Sequence, residues 1–160
     1  MKTKLKLQWK PLLLCIALPL AVGGISALLT HGAMADFQAL RQPPLSPPGW
    51  LFPAVWTALY TLMGVSSFLM LVSGAPQEQV RTALFFYGAQ LLLNFVWPLL
   101  FFLAKAYLFA FFWLLALFVL VAVTLVRFGR IQKAAGWLLL PYLVWTAFAL
   151  YLNLGIYLLN

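Results

Sequence analysis

Acid is nearly missing from this chain. Its 160 residues hold two carboxylates, Asp36 and Glu78, against ten lysines and arginines. There is one cysteine, Cys15, and one histidine, His31. A single cysteine forms no internal disulfide. One histidine with two distant acids builds neither a metal ligand set nor a Ser-His-acid triad, and no carboxylate pair is available for acid–base work. P-loop and CxxC motifs are absent as well. Charge of either sign is scarce: 8% of residues, where a soluble domain carries about a quarter. No water-facing surface can be made from so little, so the chain reads as an integral membrane protein, in one domain, 1–160. The net charge of +8 would suggest nucleic acid in a soluble protein. Here the basic residues gather at the ends of apolar runs, where they act as topology signals, and nucleic acid is excluded as a partner.

What is present is apolar and aromatic: 66% of residues are hydrophobic and mean hydropathy is +1.03. A bilayer-crossing helix needs about 20 such residues. Five runs qualify: Pro11–Thr30, Trp50–Val72, Thr82–Ala104, Tyr107–Val126 and Ala134–Leu159. None alternates polar and apolar residues as a barrel strand would. The fold class is therefore all-α, a bundle of five transmembrane helices, with Asp36 and Glu78 in loops. The basic start, the apolar run and "AMA" at 33–35 also match the outline of a secretory signal peptide. That run exceeds the usual ~7–15 residues, and Pro19, Gly23 and Gly24 suit a packed helix, so the first span is expected to stay. Lys2, Lys4, Lys6, Lys10, Arg81, Arg127, Arg130 and Lys133 fall on one side of a five-span topology, Arg41 and Lys105 on the other. The positive-inside rule then places the N-terminus in the cytoplasm and the C-terminus outside, most naturally in a bacterial inner membrane.

Helical spacing sorts the polar and aromatic residues of the spans. Gln90, Asn94, Trp97 and Phe101 share one face of the third; Trp56, Tyr60, Met63, Gly64 and Ser67 one face of the second. Tyr142, Trp145, Thr146, Ala149 and Asn153 share one face of the fifth. The fourth span offers no such face and reads as lipid-facing support, with Thr124 bonding its own backbone. Tryptophans commonly mark the membrane–water boundary, and Asn and Gln commonly glue helices. Trp9, Trp113 and Trp137 are read as such boundary residues. Trp56, Trp97 and Trp145, beside amides, suit instead a pocket for a flat apolar ligand.

Four segments are recognisable. "PLAVGG" (19–24), "PPLSPPGWLFPAVWTALYTLMG" (43–64), "QLLLNFVWPLLFF" (90–102) and "PYLVWTAFALYLN" (141–153) resemble, in order, the translocator protein/tryptophan-rich sensory protein (TspO/MBR) family. The resemblance implies a five-helix bundle, commonly a homodimer, that binds porphyrins, and sterols in some members, inside each bundle. It makes the proline-stiffened loop 31–49 a lid over that pocket. The resemblance implies ligand contacts at Trp56, Asn94, Trp97, Trp145 and Ala149, with Trp50 where lid meets pocket; the shared helical faces add Tyr60, Gln90 and Tyr142 to the expected ligand-binding set. The loop departs from the family's "WYxxLxKPxWxPP": Asp36 and Leu45 replace two tryptophans and Gln42 the lysine. No Lys or Arg follows Tyr151 or Tyr157, so the pattern claimed for cholesterol is missing and sterol binding is unsupported.

The leading expectation is thus a membrane receptor or sensor for tetrapyrroles such as protoporphyrin IX or haem, with no required cofactor and no metal site. The bilayer and a second copy are its other partners, small residues such as Ala83, Gly88 and Ala104 being offered for the dimer face. Two alternatives stand beside it. One is a light-dependent, protoporphyrin-degrading enzyme, in which Trp56 and Trp145 would be the redox residues. The other is a transporter of porphyrin or another apolar solute.

Overall fold

Pro76 and Gly74 set where one helix ends and the next begins, and similar punctuation divides the whole chain. The computed structural model describes residues 8–160; Lys2, Lys4 and Lys6 lie outside them. Helix α1 runs Trp9–Thr30, and after a 3-10 turn at His31–Ala33 the short α2 covers Met34–Ala39. Then come α3 (Leu51–Leu71), α4 (Gln77–Pro98, continued by a π-turn over Leu99–Leu103), α5 (Tyr107–Ile131) and α6 (Lys133–Leu159). Helix accounts for 86% of the structure, and among the described residues five helices are long and apolar enough to cross a membrane. The chain is an integral membrane protein.

The long helices form a closed ring. α1 lies beside α3, α3 beside α6, α6 beside α5, α5 beside α4, and α4 returns to α1, while α3 also reaches α4 across the middle. Glycine permits the closest approaches. A Cβ on Gly23 of α1 would collide with the ring of Tyr60 on α3. A Cβ on Gly64 of α3 would lie 2.6 Å from the Cys15 carbonyl of α1. That carbonyl is four residues before Pro19, which has no N–H to give it. The proline thus opens a polar spot on α1, and the absence of a side chain at Gly64 lets α3 close over it. Because α1 is held in this way and by Ser26 Oγ donating to Phe95 O of α4 (3.2 Å), it is a structural wall of the ring.

Several expectations are corrected here. Asp36 sits in α2 and Glu78 in the first turn of α4, where a carboxylate complements the helix dipole, so neither acid is in a loop. α4 starts at Gln77, and α5 carries Arg127 and Arg130 as helical residues, because polar residues continue a helix beyond the lipid-facing run. Ala83 is 1% exposed inside the bundle and offers nothing to a second copy. α5 buries Leu114, Leu117, Val121, Thr124 and Phe128 against the core, so one of its faces is a wall of the ring. Trp113 is half-buried, its indole N–H donating to Leu93 O of α4 (2.9 Å), which is a helix–helix tie and not a boundary anchor. The Thr124 hydroxyl donates to its own helix at Leu120 O (2.7 Å), as expected.

Gly64→Ala is expected to destabilise the bundle by ~1–3 kcal/mol, since its methyl meets backbone that has no side chain to move aside. Gly24→Ala, where a Cβ meets open space, is expected to change little. Unfolding curves of both variants in the same detergent measure the difference.

Candidate functional site

Three ring helices bring four polar side chains to one place. The Tyr60 hydroxyl donates to Asn94 Oδ1 (2.9 Å), Asn94 Nδ2 donates to the Tyr142 hydroxyl (2.7 Å), and that hydroxyl donates to Gln90 Oε1 (2.8 Å). All four are buried. Each group donates onward in one direction, from α3 through α4 and α6 back to α4, an arrangement in which successive bonds polarise one another. The sequence places them so because Gln90 and Asn94 are one turn apart on α4, and each phenol is rigid and long enough to span an interhelical gap. The chain ends with unspent capacity: Gln90 Nε2 and the nearby-turn hydroxyl of Tyr87 are buried with no partner among the described residues.

An aromatic seam leads to this chain between α3 and α6. The Trp56 ring stacks on Tyr60 (centroids 5.4 Å) and meets Tyr142 edge-on (6.1 Å). One turn toward the first loop, Phe52 and Trp145 are edge to face at 6.0 Å, and Trp145 leans on Phe148 at 5.4 Å. Phe148 stacks with Tyr151 at 6.1 Å, and the Tyr151 hydroxyl donates to Pro44 O of the loop (2.7 Å). Phe52, Phe148 and Tyr151 were missed from the sequence, although Phe52 is four residues before Trp56 and Phe148 three after Trp145. Ala149 is buried against the same core.

The remaining candidates are placed elsewhere. Trp50, at the start of α3, is 71% exposed. Trp97 turns its N–H to Asn153 Oδ1 (3.0 Å) and stacks on Phe101 (5.2 Å), in a second aromatic group with Phe37, Phe102 and Tyr107. Asn153 Nδ2 in turn donates to Tyr107 O (2.8 Å), so this group ties α4, α5 and α6 at the loop end of the bundle. The π-turn after Pro98 gives the chain the extra width that sets Phe101 and Phe102 at 4.9 Å around Phe37.

The first loop is fastened over this end. Arg41 N–H donates to Asn160 Oδ1 (2.9 Å) while Asn160 Nδ2 donates to Arg41 O (3.0 Å). The buried Pro43 fills the notch of Gly155, whose Cβ would come within 2.6 Å of it. Ser46 N–H closes a turn onto Pro43 O, with Pro44 and Leu45 at its corners. Leu45 has φ +66, the second-corner geometry of a type II turn that glycine usually takes. Asp36 pairs with Lys105 at 2.8 Å; both are exposed, so water and salt screen the bond. Asn160, Gly155 and Tyr151 lie more than a hundred residues from their loop partners, which no local pattern could signal.

This is a five-helix membrane protein whose interior holds an aromatic seam ending on a tyrosine–amide chain. The TspO/MBR family model matches residues 15–159. The chain is 37% identical over 150 residues to the tryptophan-rich protein TspO of Chlorobaculum tepidum, covering 93% of this chain and 95% of that one. It is 34% identical over 147 residues to the translocator protein of Bos taurus (91% and 87%). With the tryptophan-rich sensory protein of Cereibacter sphaeroides it shares 35% over 117 residues (73% and 72%). The chain belongs to the TspO/MBR family.

Tyr142→Phe removes the hydroxyl that joins Asn94 to Gln90 and leaves two buried polar atoms unpaired. It is expected to cost ~1–2 kcal/mol, against about 0.6 kcal/mol for Tyr60→Phe, which frees one. Equilibrium unfolding of the two variants measures the order.

Proposed function

We propose that this chain is a membrane receptor for a porphyrin or a similarly flat tetrapyrrole, held in the α3–α6 seam beneath the first loop. The observation that carries the reading is the seam itself: Trp56, Phe52 and Trp145 present ring faces and edges in a row that ends on buried, partly unspent hydrogen-bond donors. A planar macrocycle gains stacking along such a row, and its polar substituents need a donor at the far end. Asn94 has already committed its carbonyl to Tyr60 and one amide hydrogen to Tyr142, which leaves Gln90 Nε2 as the better donor to a ligand. The first loop, pinned to α6 at Tyr151, Gly155 and Asn160, acts as the lid that must loosen for entry. The names of the relatives, tryptophan-rich sensory protein and translocator protein, accord with a sensing or receptor role. A porphyrin-bound homodimer in a bacterial inner membrane, N-terminus in the cytoplasm, completes the proposal.

A second reading, breakdown of the bound porphyrin in light, is favoured by the stacking of Trp56 on Tyr60, two oxidisable rings in contact. Product analysis under illumination separates it from binding.

Titration of the purified protein with protoporphyrin IX in darkness tests the main reading. Removing a stacking aromatic costs roughly 1–3 kcal/mol in comparable base-stacking sites. Trp145→Ala is therefore expected to weaken binding about tenfold or more, and Trp9→Ala, exposed at the start of α1, to leave it unchanged. Equal effects of the two would remove the seam as the site.

A further inference from the structure

A concavity lies between α5 and α6, lined by neither the tyrosine–amide chain nor the aromatic seam. The two helices are joined through one extended residue, Gln132, and cross at a pair of glycines: a Cβ on Gly136 would stand 2.7 Å from Gly129 Cα. With no side chain at either position, a groove of about 330 Å³ remains, lined by Leu125, Gly129, Lys133, Gly136, Trp137 and Leu140. Its floor is apolar. Lys133 and Leu140 mark its two ends on α6, seven residues or roughly 10 Å apart.

The groove is polarised. Lys133 is exposed at the mouth, Arg130 is exposed on α5 one residue after Gly129, and Lys133 is the first residue of α6, where the helix dipole also favours an anion. Among the described residues the one ion pair is Asp36–Lys105, at the opposite end of the bundle; Glu78, exposed at the start of α4, lies at the same end as Lys133 and makes no ion pair with it. Trp137 is 71% exposed beside the groove, at the level where the basic cluster marks the edge of the apolar layer. A cation at the head of an apolar trough, at the boundary of a membrane, matches an amphiphile with an anionic head and a hydrocarbon tail. A second copy of this chain is a poor match, because a two-fold contact through this face would set Lys133 and Arg130 against their own copies, and the one acid at this end, Glu78, stands on α4.

We propose that this groove binds an anionic phospholipid, its phosphate paired with Lys133 and one acyl chain lying over the Gly129–Gly136 crossing against Leu125, Trp137 and Leu140. The site is independent of the porphyrin reading.

The test is native mass spectrometry of the full chain titrated with phosphatidylglycerol and with phosphatidylcholine of the same acyl chains. The wild type is expected to hold phosphatidylglycerol more tightly. Lys133→Gln is expected to weaken that lipid about fivefold and leave phosphatidylcholine unchanged, the scale of one basic side chain at an anionic surface. Lys10→Gln, a basic residue on α1 outside the groove, is the control and is expected to have no effect. Equal retention of the two lipids by the wild type, or an equal loss with both variants, would overturn the proposal. So would cross-linking of two copies through Trp137→Cys in phosphatidylglycerol bilayers, which would give the groove to a second copy. Lys133 lies at an exposed helix start, so the variant's fold is checked by its unchanged unfolding midpoint.

Discussion

Inside a bilayer, a polar side chain has only the protein to bond to, and that constraint organises this molecule around Tyr60, Asn94, Tyr142 and Gln90. The four sit on three helices and satisfy one another in sequence. Sliding α3, α4 or α6 along its axis by one residue would move a donor about 1.5 Å, enough to break such a bond. The chain therefore fixes the mutual register of three walls of the ring. The other two walls are fitted to this frame: α1 through Gly23 and Gly64, which bring it against Tyr60 and α3, and α5 through Trp113, which donates to α4.

The same frame places the chemistry. Because Tyr60 and Tyr142 are held by their hydroxyls, their rings cannot turn freely, and Trp56 is set between them. The rest of the seam follows by helical repeat, Phe52 one turn from Trp56 and Trp145 one turn from Tyr142, up to Tyr151 and the loop. The loop is fastened to α6 at three places, Tyr151, Gly155 and Asn160. At the opposite end, the glycine crossing of α5 and α6 gives up side-chain volume to bring two backbones together, and the groove is the consequence on the outer surface.

Much of this was legible in the sequence, for identifiable reasons. Five spans follow from length and hydropathy. The shared faces of Gln90 with Asn94 and of Trp56 with Tyr60 follow from the 3.6-residue repeat, and the structure brings Tyr60, Gln90, Asn94 and Tyr142 into one bonded chain. What failed was whatever depended on a distant partner. Nothing near Trp113 in the sequence announces Leu93, and nothing near Ala83 tells that its small side chain faces inward. Trp97 shares the helical face of Asn94, yet its N–H is taken by Asn153 at the loop end. The start of α4 was placed late because Gln77–Arg81 is polar, although Pro76 and Glu78 are helix-start signals.

The central claim is that the four side chains act as one unit. A double-mutant cycle on Tyr60→Phe and Gln90→Leu in equilibrium unfolding tests it most directly, since these two residues are bonded only through Asn94 and Tyr142. A connected chain predicts a coupling energy of about 0.5 kcal/mol or more between them. Strict additivity would contradict it, reducing the chain to separate pairs that happen to lie side by side.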